Sequence, residues 1–379
     1  MPAGQPYVLH VVGADTPSAR LERLRALCAR RDLGWHDVVQ FGAGRHDWLR
    51  PRPSQRITVP LGVSWLGQPR LRDLLPGASA SIVHCWSVKA LSWVLADRGR
   101  TPVLLELEPP LDARRLMRGI APPLRRFVVR SGRVRVVCCS ECQRLELREA
   151  GLSGDACLLI RDAVDQAALE AADPQTGRSA LGLDADDTAV LVLPPVVRET
   201  GAFWAAWAAM LLQQVRPRAR LVLPNESREA RRVARLVASC RRTWMLRLAG
   251  KNLPLAQLLA AADLAVYLPA RDAPLSAVVW AMAAGRPIVA ADVPAVREML
   301  ADGLTAWLCR PKSPKDACRR MLQALEDPQQ ARRRVEAAAA QASAAGDRRR
   351  MIEEYRGAYA GLLAGHRLAD RRETFALFR

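Results

Sequence analysis

The stretch Leu255–Arg310 reads LAQLLAAADLAVYLPARDAPLSAVVWAMAAGRPIVAADVPAVREMLADGLTAWLCR. Leu255–Ala261 places apolar residues at helical spacing, and Leu264–Leu268 follows as a short unbroken apolar run of strand length. Pro274–Ala284 is helical and Pro287–Ala290 is a strand. Pro294–Ala301 is helical and Ala306–Cys309 is a strand. Strands that are apolar throughout, alternating with helices, imply a parallel sheet covered on both faces.

The same alternation extends in both directions. Upstream lie Ala189–Leu193 (strand), Gly201–Val215 (helix), Ala219–Pro224 (strand), Ser227–Cys240 (helix) and Trp244–Leu248 (strand). Downstream, Pro314–Leu325, Pro328–Ala344 and Arg348–Leu363 read as helices. Asp162–Gly182, rich in Asp, Ala and Gly, reads as a linker. Before it the pattern runs a first time. Tyr7–Val12 is a strand ending at Gly13, and Ser18–Arg30 is a helix. Asp37–Phe41, Ile57–Val59, Ser81–Cys85, Pro102–Leu107, Arg135–Cys139 and Cys157–Ile160 are strands. Leu71–Leu75, Ser87–Ala96, Leu111–Val129 and Glu141–Ala150 are helical, the third interrupted by Pro122 and Pro123. The expected fold class is α/β, with two Rossmann-like doubly wound domains facing across a cleft. The expected domains are 1–165, 166–345 and a C-terminal helix, 346–379.

The chain has 379 residues, half of them hydrophobic and a quarter charged, the balance of a globular protein rather than a disordered one. Its net charge is +19, and the only lysines are Lys89, Lys251, Lys312 and Lys315. Arginine in place of lysine, with abundant Ala and Leu, reads as codon bias. An electrostatic role is the other reading: a basic surface attracts phosphate, anionic lipid or nucleic acid. No zinc-finger spacing, recognition helix or aromatic RNA-binding strand is present, so nucleic acid is not an expected partner. The nine cysteines are scattered through apolar segments, which argues for reduced thiols and a cytoplasmic location, with peripheral attachment to the inner face of a membrane as an extension of the basic charge. Cys139 and Cys142 form a C-x-x-C, but no second ligand cluster accompanies it and no metal is expected. No signal peptide opens the chain, and no apolar run approaches the ~20 residues of a membrane helix.

The quoted stretch resembles the donor-binding half of the family-4-like glycosyltransferases of the GT-B fold. The shared parts are a helix ending in Ala262-Asp263, a strand ending at Pro269, an acidic residue, the helix closing on Ala281–Ala290, Glu298, and the Asp302-Gly303 turn. Val137–Ala150, Leu159–Leu169 and Ile82–His84 resemble further parts of the same family more weakly. The resemblance implies transfer of a sugar from a nucleotide-diphosphate donor to an acceptor the sequence does not name, with retained stereochemistry and no cofactor. Growing charge on the leaving diphosphate would be met by helix N-termini and basic side chains.

The resemblance points to His84 on the acceptor side and Asp272 on the donor side as catalytic. It assigns donor binding to Gly13, Arg198, Thr200, Ala273, Pro274, Leu275, Ser276 and Trp280. Several of these depart from the family pattern. A second carboxylate belongs eight positions after Asp272, where Trp280 stands, and an indole has only a donor N–H to offer a ribose. The intervening turn, normally glycine-rich, is Ala273-Pro274-Leu275-Ser276. Thr200 occupies the place of a phosphate-binding lysine, with Arg198 as a substitute cation. The alternative function is therefore a catalytically inactive GT-B scaffold binding a carbohydrate or protein partner. Glu106 and Glu108, at a strand end, are further candidates to face substrate. Trp204 and Trp207 are read as core packing, and Arg348-Arg349-Arg350 as a solvated helix face.

Overall fold

The computed structural model describes residues 6–13, 18–41, 81–88, 90–91, 94, 101–107, 133–224, 227–250, 253–271 and 273–376. Ile57–Val59, Leu71–Leu75, Leu111–Val129, Glu108 and Asp272 lie outside them. The chain forms two compact units, Met1–Ile160 with Arg349–Arg379, and Arg161–Arg348.

The first unit is built on six strands: β1 (Tyr7–Gly13), β2 (Trp35–Phe41), β3 (Ile82–Cys85), β4 (Val103–Glu106), β5 (Val134–Cys138) and β6 (Cys157–Leu159). They pair in parallel in the order β2-β1-β3-β4-β5-β6. Helices α1 (Ser18–Cys28) and α2 (Glu141–Glu149) belong to this unit. Alternation of side chains along the strands gives the sheet two unlike faces. Leu9, Val11, Val83, Cys85, Val103, Leu105, Val136 and Cys138 join one apolar cluster. The opposite face carries His10 and His84, paired in register, and Glu106.

The second unit repeats the plan with β7 (Thr188–Val192), β8 (Ala219–Pro224), β9 (Leu246–Ala249), β10 (Leu264–Tyr267), β11 (Ile288–Ala291) and β12 (Trp307–Cys309). All pairings are parallel and the order is β12-β11-β10-β7-β8-β9. Every residue of β10, β11 and β12 is buried, as expected for strands covered on both faces. The helices are α3 (Gln166–Glu170), α4 (Pro174–Ala180), α5 (Ala202–Val215), α6 (Arg228–Ser239), α7 (Leu255–Ala261), α8 (Ser276–Ala283), α9 (Pro294–Arg297), α10 (Pro314–Glu326) and α11 (Pro328–Ala345). On one face α5 packs against α6 and α10, and on the other α8 packs against α11 and α7 against α4. The last helix, α12 (Arg348–Ala376), lies from Arg349 onward in the first unit. It buries Met351, Ile352, Tyr355, Ala358, Tyr359 and Leu362, a stripe at helical spacing.

Four readings of the sequence are corrected. Asp162–Gly182 is not an unstructured linker, because it contains α3 and α4. Its aspartates are caps: Asp165 accepts the Ala168 N–H and Asp173 the Thr176 N–H, and Pro174 opens the first turn of α4. The strand expected at Trp244–Leu248 starts at Leu246, after a 3₁₀ turn at Thr243–Met245. Trp204 packs against the core, but Trp207 is 38% exposed. Arg348 and Arg350 are not simply solvated: they pair with Asp165 at 2.8 Å and Glu354 at 2.6 Å.

Candidate functional site

In an open parallel sheet, ligands bind beyond the carboxyl ends of the strands where the strand order reverses. In the second unit that point lies between β7 and β10, the first and fourth strands of its sheet. The loops leaving these strands are Leu193–Gly201 and Leu268–Leu275, and they contain most of the donor-binding residues expected from the sequence.

The first loop is held by its own polar atoms. The Leu193 N–H still donates to Val266 at 3.0 Å. The Thr200 hydroxyl lies 2.6 Å from the Pro195 carbonyl and 2.9 Å from that of Val197, and accepts the Val197 N–H at 3.2 Å. Thr200 is fully buried, so this position fixes the loop's shape and turns away from solvent. Gly201 follows with φ +79°, and a Cβ there would lie 1.7 Å from the Leu268 carbonyl oxygen. Glycine is required both by the left-handed backbone and by the neighbouring strand end. That contact sets the two loops directly against each other.

The second loop folds back through a hydrogen bond from the Tyr267 hydroxyl to the Pro274 carbonyl. Ala273, Leu275 and Ser276 are buried, with Leu275 in the apolar core and only Pro274 half-buried. Trp280 is half-buried and packs against the same core from α8. The side chains of Ala273, Leu275 and Ser276 therefore serve packing, and what this segment can offer a ligand is backbone. Helices α5 and α8 start from the two loops, and neither has a side-chain cap among the described residues. Their first N–H groups and the positive ends of their dipoles lie at this edge. Arg198 and Arg271 are exposed on the two loops and make no hydrogen bond or ion pair with the described residues. The edge can thus meet an anion with two guanidinium groups and two uncapped helix starts. Arg271 was missed in the sequence: it stands beside Asp272 in the quoted stretch, but nothing local shows that its side chain is left without a partner.

In the first unit, Gly13 is the buried last residue of β1, in register with Phe41. His84 is fully buried in β3. Its Nε2 lies 3.1 Å from Glu106 Oε1 and its Nδ1 3.0 Å from the Tyr359 hydroxyl, while its ring stacks on Trp86 at 4.6 Å. Glu106 also receives Arg23 at 2.9 Å and the Tyr355 hydroxyl. Burial alone would raise the Glu106 carboxyl, but Arg23 and the His84 hydrogen bond outweigh it and hold it down at about 2. An ionised Glu106 accepts, so His84 carries its proton on Nε2 and accepts from Tyr359 through Nδ1. Burial lowers the His84 pKa and keeps the ring neutral. Both nitrogens are engaged inside the first unit, and His84 and Glu106 join β3 and β4 to α1 and α12.

His10, Cys28 and His36 bring potential metal-ligand atoms within 4.8 Å of one another. The hydrogen bonds use these atoms differently. Trp86 Nε1–H donates to His10 Nδ1 at 3.1 Å, which leaves the His10 proton on Nε2, 2.9 Å from His36 Nδ1. Both nitrogens of His10 are then committed and neither offers a lone pair to an ion. Burial also pushes the Cys28 thiol up to about 12, away from the thiolate a metal needs.

Residues 176–341, all within the second unit, match the family described as Glycosyl transferases group 1. No curated protein matches the chain. Among solved structures, Anabaena Alr3699/HepE in complex with UDP and glucose superposes with a TM-score of 0.76 at 17% identity, covering 94% of this chain and 100% of that one. Sucrose-phosphate synthase from Thermosynechococcus elongatus gives 0.71 at 18% identity, over 94% and 99% of the two chains. WaaG, a glycosyltransferase involved in lipopolysaccharide biosynthesis, gives 0.68 at 15% identity, over 93% and 100%. The two Rossmann-like units share the GT-B fold with these proteins.

Proposed function

We propose that the protein transfers a sugar from a nucleotide-diphosphate donor to an acceptor, with the donor held where β7 and β10 part in the second unit. The observation that carries this reading is the contact of Gly201 with Leu268, which abuts two loops that each bear an exposed arginine and a helix start, neither arginine paired and neither helix capped among the described residues. The group 1 match over the same unit, and relatives solved with UDP and with UDP-glucose, support it and favour uridine as the base.

As the bond from the anomeric carbon to the diphosphate oxygen breaks, negative charge accumulates on the leaving group. The first N–H groups of α5 are fixed before the reaction, so they stabilise that charge without reorganising, and Arg198 and Arg271, exposed on the two loops, add positive charge beside it. Asp272, in the segment between Arg271 and Ala273, is the side chain assigned to the sugar hydroxyls. By the family resemblance the configuration at the anomeric carbon is retained.

The second reading, a binding scaffold without turnover, is favoured by Trp280 in the place of a carboxylate and by the inward turn of Thr200. Two measurements on the whole chain separate the readings. Millimolar UDP-, GDP- and ADP-sugars are screened by thermal shift, and one nucleotide class should stabilise the second unit by about 2–3 kcal/mol at ~100 Kd. Release of free nucleoside diphosphate is then followed with that donor. Stabilisation with release supports transfer, and no stabilisation by any donor removes transfer and favours the scaffold that binds a carbohydrate or protein partner.

A further inference from the structure

Helix α5 exposes large apolar side chains along one face. Trp207, Leu211 and Val215 are 38%, 41% and 62% exposed, and they stand at i, i+4 and i+8, one above another. This is unusual for the central helix of a layer. Strand order places α6 over β8 and β9 and α10 over β10 to β12, so α5 lies between them. The stripe is therefore a band along the middle of the second unit's outer face.

The flank formed by α6 is basic. The Arg232 guanidinium sits 4.4 Å over the Phe203 ring, at the start of the same stripe. Arg228 and Arg235 lie one turn before and one turn after it on the same side of α6, both exposed. The one acidic residue of α6, Glu229, is buried and pairs with Arg232 at 3.5 Å. On the other side α10 exposes Lys315 and Arg319.

We propose that this face of the second unit docks on an anionic lipid surface, with the α5 stripe entering the headgroup layer and the flanking arginines pairing with lipid phosphates. An aromatic–aliphatic stripe bordered by arginine is the pattern of an interfacial helix. Basic groups near such a surface add attraction that falls with salt. A second copy of the chain fits less well. Two-fold pairing through α5 sets a basic flank against a basic flank, α6 on α6 or α6 on α10, and three side chains fall far short of the ~800 Å² per partner of a stable interface. The proposal is independent of the donor site, since none of these residues belongs to it.

The test is co-sedimentation of the full chain with vesicles of phosphatidylcholine alone or mixed with phosphatidylglycerol, at low and high salt. The wild type is expected to sediment with the mixed vesicles and not with the neutral ones. Trp207→Ser/Leu211→Ser should weaken binding about tenfold or more at either salt concentration, and Arg228→Glu/Arg235→Glu by a similar factor at low salt. All four positions are exposed, and circular dichroism confirms that each variant is folded; if the first pair unfolds, the arginine pair still decides. A wild type left in the supernatant overturns the proposal. So does unchanged binding by both variants, which would move the contact to another face. So does a wild-type dimer, seen without vesicles by sedimentation velocity, that the Trp207/Leu211 variant converts to a monomer.

Discussion

Gly201 and Thr200 show how far residue-level reading reaches. The sequence places Thr200 where the related pattern has a phosphate-binding lysine, and that position is legible. The direction of the side chain is not, because it follows from the path of the loop after β7, where the hydroxyl meets the Pro195 and Val197 carbonyls. Restoring the lysine should therefore not restore a phosphate ligand. Thr200→Lys would force a long charged chain into a fully buried position; it should lower the denaturant midpoint of the second unit and weaken donor binding in calorimetry. A gain in donor affinity would show that the loop can reopen. Gly201→Ala adds a Cβ 1.7 Å from the Leu268 oxygen at a backbone angle that disfavours any side chain. It should cost roughly 2–4 kcal/mol in urea unfolding, in the range of strain and overpacking effects, and shift the two loops apart. Trp280 was legible as a lost carboxylate, but its half-buried seat against the core of the second unit depends on packing between α8 and α11 that no local pattern encodes.

At the scale of elements, the long last helix reads clearly as a helix, but the reason it docks does not. Its buried stripe reaches the polar face of the first unit's sheet, where Tyr355 and Tyr359 meet Glu106 and His84. These partners lie 249 and 275 positions apart in the chain. Neither the burial of His84 nor its second partner, Tyr359, can be seen locally in the sequence. The Asp-rich segment before β7 was misread for the opposite reason: composition suggests a linker, while Asp165 and Asp173 cap two short helices. Glu106→Gln should cost about 3–5 kcal/mol, because it leaves the Arg23 charge buried without its counter-ion. Hydrogen exchange should then quicken along α12 more than along α5. Equal protection of α12 in the variant would show that apolar contacts alone hold the helix.

Across the whole molecule, the alternation of strands and helices was legible almost throughout: each of the six strands of the second unit lies within two residues of its expected position. Sheet order was not legible, since it depends on crossovers between distant segments. The two units also differ in a way that composition conceals. All five histidines, His10, His36, His46, His84 and His366, fall in the first unit. Burial holds His10 well below the ordinary histidine range, lowers His84, and brings His36 to about 4. The unfolded chain binds protons at these sites from about pH 6.5 downward while the folded unit does not. Stability is therefore fully present above that pH and is lost as pH falls. Each histidine still neutral at pH 5.5 costs about 1.4 kcal/mol there. Glu106 adds a further loss as pH falls from about 4.5 towards 2. Scanning calorimetry at pH 7.5 and 5.5 should show the first unit's transition falling while that of the second holds. A fall of both together would mean that the two unfold as one. The central claim is that the second unit's strand-end edge neutralises a diphosphate. The most direct test is calorimetric titration of the whole protein with UDP and with uridine. UDP should bind about a hundredfold more tightly, the worth of two or more charge-assisted contacts, and Arg198→Ala should narrow that ratio about tenfold. Equal affinities for UDP and uridine, or a ratio unchanged by Arg198→Ala, would contradict it.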